Sequence, residues 1–203
     1  MNWKVQLRNP KIQQGVLEVV FPLAGYFFWD WTLLIIVVFY LIDFLASQIL
    51  FTRRLAKIIT VYNEKFVWVL PLSIIVTLAF TLIFVFVLYQ VFDIHYFILE
   101  KGLNSELLTF AKKELWFLFP VVLLSYYMMD KMFFFMPRRF LNYSVRPYLY
   151  KNIISNAIAL FLILVGTYIF EMIRPSDVVA IFGIVIIKLF YDVVIKKYGL
   201  KID

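Results

Sequence analysis

The stretch "IFGIVIIKLFYD", residues 181–192, runs apolar for seven residues and then sets a lysine and an aspartate one helical turn apart. Its reading depends on the solvent around it. Over the 203 residues, 64% are hydrophobic and 20% aromatic, far above the roughly 45–50% apolar content of soluble domains. The stretch therefore reads as part of a membrane helix. There Lys188 and Asp192 would each cost roughly 2.5–3.5 kcal/mol at the centre of the bilayer unless partners or water meet them.

Further apolar segments precede it. With this one they fall at about 15–29, 31–52, 66–92, 115–136, 152–173 and 177–195, and most approach the roughly 20 residues a helix needs to cross ~30 Å of hydrocarbon. The expectation is an all-α polytopic helix bundle with six transmembrane segments in a single domain, since no polar stretch is long enough for a separate soluble one. The first segment is the weakest, being short and carrying Glu18, Pro22 and Gly25. Basic residues in the connections support it. Lys4, Arg8 and Lys11 precede the first segment, and the turn after it holds Asp30 and no cation. Arg53, Arg54, Lys57 and Lys65 follow the second segment, and Arg138, Arg139, Arg146 and Lys151 follow the fourth. Lys196, Lys197 and Lys201 close the chain. This alternation predicts a multi-pass protein of the inner membrane with both termini cytoplasmic.

The net charge of +7 is then mostly topology. Its expected partner is the lipid bilayer with its anionic headgroups, met by Arg53, Arg54, Arg138, Arg139 and Arg146, and not nucleic acid. The N-terminus is basic but leads into an apolar run without a small-residue cleavage site, and reads as mature protein. Trp29, Trp31, Trp68 and Trp116 lie near segment ends, where indole rings favour the headgroup zone. Between the third and fourth segments, "LNSELLTFAKKEL" repeats apolar residues at helical spacing beside charges, which predicts an outer interfacial helix at about 104–114. The same helix is compatible with a protein partner or a homo-oligomer. Ser73, Thr77 and Thr81, four apart, form a hydroxyl stripe suited to helix packing.

The intramembrane charges fall in one layer. At ~1.5 Å per residue, Lys188 lies about 12 Å from Lys196, Asp43 about 15 Å from Arg53, Asp130 about 12 Å from Arg138, and Glu18 about 10 Å from Lys11. Lys131 and Asp192 lie slightly shallower. Tyr40, Asp43 and Ser47 share one helix face, as do Lys188 and Asp192, and a tyrosine, Tyr126 or Tyr127, sits one turn from Asp130. Such stripes should turn inward, and Lys188 is expected to pair with Asp43 as well as Asp192. The polar cluster is thus Asp43, Lys188, Asp192, Asp130, Lys131, Glu18 and Tyr40, in which four carboxylates face two lysines.

Two functions fit this cluster. One is a cation- or proton-linked transporter or channel with a cytoplasm-facing polar site, since the excess negative charge calls for protons, water or a bound ion. The alternative is a non-catalytic accessory or scaffold subunit of a membrane complex whose buried charges fix helix register. An enzyme is not expected. Cys is absent and the single histidine, His95, has no serine nucleophile to serve, so no catalytic residue, metal site or cofactor is assigned.

Finally, "FPLAGYFFWDW" at 21–31, "FYLIDFL" at 39–45 and "KLFYD" at 188–192 resemble a family of small polytopic membrane proteins catalogued as domain of unknown function 6498. The similarity lies in Pro and Gly before a Phe- and Trp-containing turn, then Tyr40 three before an acid at 43, and Lys188 four before Asp192. The chain departs in having Asp43 where that family has Glu, Leu41 where a Trp is usual and Ile195 where a His is frequent. The resemblance implies a membrane fold and this motif set, and no activity.

Overall fold

The computed structural model describes residues 10–62, 68–92, 109–173 and 176–192. Among them there is no strand, and the helices are α1 (Pro10–Trp29), α2 (Leu33–Tyr62), α3 (Val69–Val91), α4 (Trp116–Asp130), α5 (Val145–Ile173) and α6 (Asp177–Phe190). Four stretches are long and apolar enough to cross a membrane: Leu33–Val61, Val69–Val91, Ala111–Phe135 and Val145–Ile173. Glu18–Trp29 is a shorter apolar helix, and α6, at 14 residues, spans about 21 Å.

Two helices exceed their expected bounds. Residues 33–62 contain no Gly or Pro, so nothing stops α2 where the charges begin, and Arg53, Arg54 and Lys57 are helical residues. Likewise α5 starts at Val145, ahead of the expected 152, and takes in Arg146 and Lys151. The expected interfacial helix at 104–114 lies partly outside the described residues. Its described part is not separate: Thr109 to Leu115 run on into α4 through a π-helical turn at Ala111–Leu115. A second π-helical turn, Lys131–Phe135, follows Asp130, with the Met136 N–H donating to the Lys131 carbonyl at 2.9 Å. Pro137 stops this helix, and Arg138 takes up a left-handed conformation, φ 55°, in the turn towards α5.

The chain divides into two compact units. One comprises α1, α2 as far as Phe39, α5 from Ile158, and α6. Its core includes Trp31, Ile36, Val37, Ile181 and Ile184. Helices α5 and α6 approach closely at two glycines, where an added Cβ would stand 2.7 Å from Ile187 at Gly166 and 2.2 Å from Phe170 at Gly183. The other unit, Tyr40 to Ala157, has a core of Phe51, Leu55, Ile58, Val69, Phe134, Val145 and Leu149. In it α3 presents Ile74, Ile75, Leu78, Leu82, Ile83 and Phe86 outward, as a lipid-facing helix does. The hydroxyls of Thr77 and Thr81 donate back into their own helix, to the carbonyls of Ser73 and Thr77.

Trp29, Trp68 and Trp116 are exposed, consistent with interfacial anchoring, but Trp31 is not, at 2%. Asp30, with φ 52°, reverses the chain after α1, and the Trp31 N–H donates to the Gly25 carbonyl at 3.1 Å. The indole is thereby laid on Gly25 and against Phe39. A Cβ at Gly25 would stand 2.1 Å from the ring, and its neighbours leave the ring no room to retreat. We therefore expect Gly25→Ala to destabilise the protein by about 1–3 kcal/mol, read as a lower melting temperature in detergent. Trp31→Leu in the same chain should restore most of the loss. An unchanged melting temperature in the single variant would show that the indole is not fixed there.

Candidate functional site

In the first unit, Ala180, Ile181, Ile184, Val185 and Lys188 are the buried residues of α6. Their spacing makes one stripe along the helix, so the phase that buries Ile181 and Ile184 also carries the lysine inward. The Lys188 ammonium meets two carboxylates. It donates to Glu18 Oε2 of α1 at 2.6 Å and to Asp192 Oδ2, one turn onward, at 2.5 Å. All three side chains are close to nine-tenths buried. These three groups alone, when ionised, carry one positive and two negative charges. Pro22 stands four residues after Glu18 and has no N–H to give to the Glu18 carbonyl, which adds to the polarity of this region of α1.

In the second unit, Asp43 on α2 is buried and accepts a hydrogen bond from the Tyr126 hydroxyl of α4 at 2.8 Å. Tyr40, one turn earlier, is 2% exposed, and Ser47, one turn later, donates to the Phe44 carbonyl. Gln48 accepts from the Asn152 amide of α5 at 2.9 Å. Arg54 pairs with Asp130, the most buried carboxylate among the described residues. The same guanidinium lies 5.7 Å from the centre of the Phe134 ring. Asp130 Oδ2 and Arg54 Nε are both buried without a hydrogen-bond partner among the described residues.

Several expectations change on this geometry. Glu18, Lys188 and Asp192 come together as one triad. The cation beside Asp130 is Arg54, which was expected among the headgroup residues, and Lys131 is exposed instead of joining the buried cluster. Asp130 and Phe134 are the buried residues around the π-helical turn, and Lys131, one residue past Asp130, falls on another side of it. Tyr126 belongs with Asp43. Of the expected headgroup residues, Arg53, Arg138, Arg139 and Arg146 are exposed, whereas Arg54 is half-buried in its ion pair. The Gln48–Asn152 pair was missed. Its signal is two amides within otherwise apolar segments.

Among the described residues, no three His, Cys, Asp or Glu side chains are grouped to hold a metal ion. No protein-family model matches the chain, and neither a curated protein nor a solved structure matches it. The chemistry must therefore be read from the triad itself. Removing the ammonium leaves two buried carboxylates facing each other, so we expect Lys188→Met to cost roughly 3–5 kcal/mol. Glu18→Gln keeps a one-to-one pair with Asp192 and should cost clearly less. Melting of the purified variants in detergent checks the order, and equal losses would remove the triad as a unit.

Proposed function

We propose that the chain is a six-span integral membrane protein of the inner membrane, with both termini cytoplasmic, acting as a cation- or proton-linked transporter or channel. The observation that supports this reading is the buried triad at Lys188. Two carboxylates share one ammonium at 2.6 and 2.5 Å, nearly out of contact with solvent. Buried carboxylates are costly to keep ionised in a low-dielectric setting, so a proton or monovalent cation reaching this site acts on it directly. Such a site changes its charge when it loads, which is what coupling to an ion requires. Pro22 beside Glu18 is in keeping with helices interrupted where ions are handled. Membership of the family resembled by the Tyr40–Asp43 and Lys188–Asp192 motifs is part of this proposal.

A second reading, an accessory or scaffold subunit whose buried charges are structural, is favoured by the other polar links. Arg54–Asp130 is balanced one to one, and Gln48–Asn152 is neutral, so each can lock helices without any loading step.

Flux into proteoliposomes separates the two. On the transport reading, vesicles carrying the wild-type chain should pass protons, Na⁺ or K⁺ faster than empty vesicles. Glu18→Gln should abolish the excess while the protein remains folded. Wild-type flux no greater than that of empty vesicles for all three ions rejects transport and leaves the scaffold.

A further inference from the structure

Arg53 and Lys57 are unlike Arg54 and Lys188, whose charges are met by carboxylates. The Arg53 guanidinium carbon lies over two rings of the same unit, 4.5 Å from the centre of Tyr127 and 4.7 Å from that of Phe135. Lys57, one turn further along α2, has its ammonium 5.5 Å from the centre of Phe140. No described carboxylate forms an ion pair with either, although the adjacent Arg54 is paired with Asp130. Aromatic faces hold a cation in place without neutralising it, so two exposed positive charges are fixed about one helical turn apart with no described carboxylate taking up their anion-binding capacity.

The surroundings say what kind of anion this suits. Ile49, one turn before Arg53 on the same face of α2, is exposed, as are Leu124, Met128 and Met132 along the helix that supplies Tyr127. A free phosphate would use the cations and leave that apolar surface idle. An amphiphile with an anionic head uses both.

We propose that Arg53 and Lys57 form a discrete site for one anionic phospholipid. Its phosphate engages the guanidinium and ammonium, and its acyl chains lie on Ile49, Leu124, Met128 and Met132. The site is independent of the Lys188 triad and does not rest on the transport reading. Arg54, though adjacent in sequence, is not part of it, because its charge is already met by Asp130.

The test is lipid binding by the purified full chain in detergent, followed by native mass spectrometry during titration with phosphatidylglycerol or phosphatidylcholine. The wild type should saturate with phosphatidylglycerol at one molecule per chain, bound at least roughly tenfold more tightly than phosphatidylcholine. Arg53→Ala with Lys57→Ala should remove that preference. Lys112→Ala with Lys113→Ala, which removes the same charge from two other exposed positions, should retain it. Lys57→Gln alone, at an exposed position, should weaken the preference part-way and serves if the double variant does not fold. Equal losses in the two double variants, or a preference unaffected by Lys57→Gln, would overturn the site in favour of general charge attraction. Displacement of the lipid by inorganic phosphate at similar concentration would overturn the lipid assignment.

Discussion

An ammonium group kept from water must be met by anions, and at Lys188 that requirement organises the first unit. The lysine lies on the face of α6 that also buries Ile181, Ile184 and Val185, so it cannot escape outward without taking the apolar stripe with it. Asp192 comes with it, one turn along the same helix, whereas Glu18 must be delivered by α1. Gly166 and Gly183 let α5 and α6 approach at distances that a Cβ would forbid, and Gly25 lets Trp31 fold back beneath the end of α1. Taking three charges out of water costs several kcal/mol per ion, and their attraction offsets that only when the geometry is good. Stability alone is therefore a poor reason for a third charge. A single carboxylate would satisfy the lysine, and the second adds an ionisable group to the same buried site.

Arg54 and Asp130 solve a related problem without that second carboxylate. Guanidinium is planar, always charged and less strongly hydrated than ammonium, so it suits a half-buried position against an aromatic ring. It finds one carboxylate and the face of Phe134. Asp43 uses a third solution, a neutral hydroxyl from Tyr126. Within the second unit these links join α2 to α4, and Gln48–Asn152 joins α2 to α5, so one helix carries most of the polar connections.

Four helices were legible because their apolar runs have the length and continuity of a membrane segment, and the key polar residues were legible because a charge inside an apolar run is rare enough to notice. Glu18, Asp43, Asp130, Lys188 and Asp192 are all buried or nearly so. Boundaries were less legible. Charge marks where a segment leaves hydrocarbon, but it does not end a helix, so α2 continues through Arg53, Arg54 and Lys57 to Tyr62. Partner choice was least legible. Spacing along one helix determines Lys188 beside Asp192, yet nothing in the spacing says which distant helix presents a further carboxylate, and Glu18 of α1 supplies one. Lys131 was misplaced because depth alone put it in the layer, and depth does not say which side of the helix a residue one past Asp130 faces. Trp31 looked like Trp29 because two indoles beside a turn have the same composition signal, and only the reversal at Asp30 sends one of them inside.

The contrast between Arg53 and Arg54 shows how little sequence separates an internal lock from a surface site. Successive residues on a helix point about 100° apart. Leu50, Arg54 and Ile58, spaced by four, follow the inner face of α2, where the two apolar residues are 4% and 0% exposed. Ile49, Arg53 and Lys57 follow the neighbouring face, which is exposed. Arg54 thus inherits the environment of Leu50 and Ile58 and needs Asp130 to be there at all. Arg53 inherits the environment of Ile49 and, with rings beneath it and no carboxylate among the described residues, keeps its full charge for whatever lies outside. A one-residue shift in register along α2 would exchange these fates. It would place an aromatic-backed arginine against Asp130 and turn the paired one outward, so the packing that fixes the phase of α2 also assigns the two arginines their different chemistry.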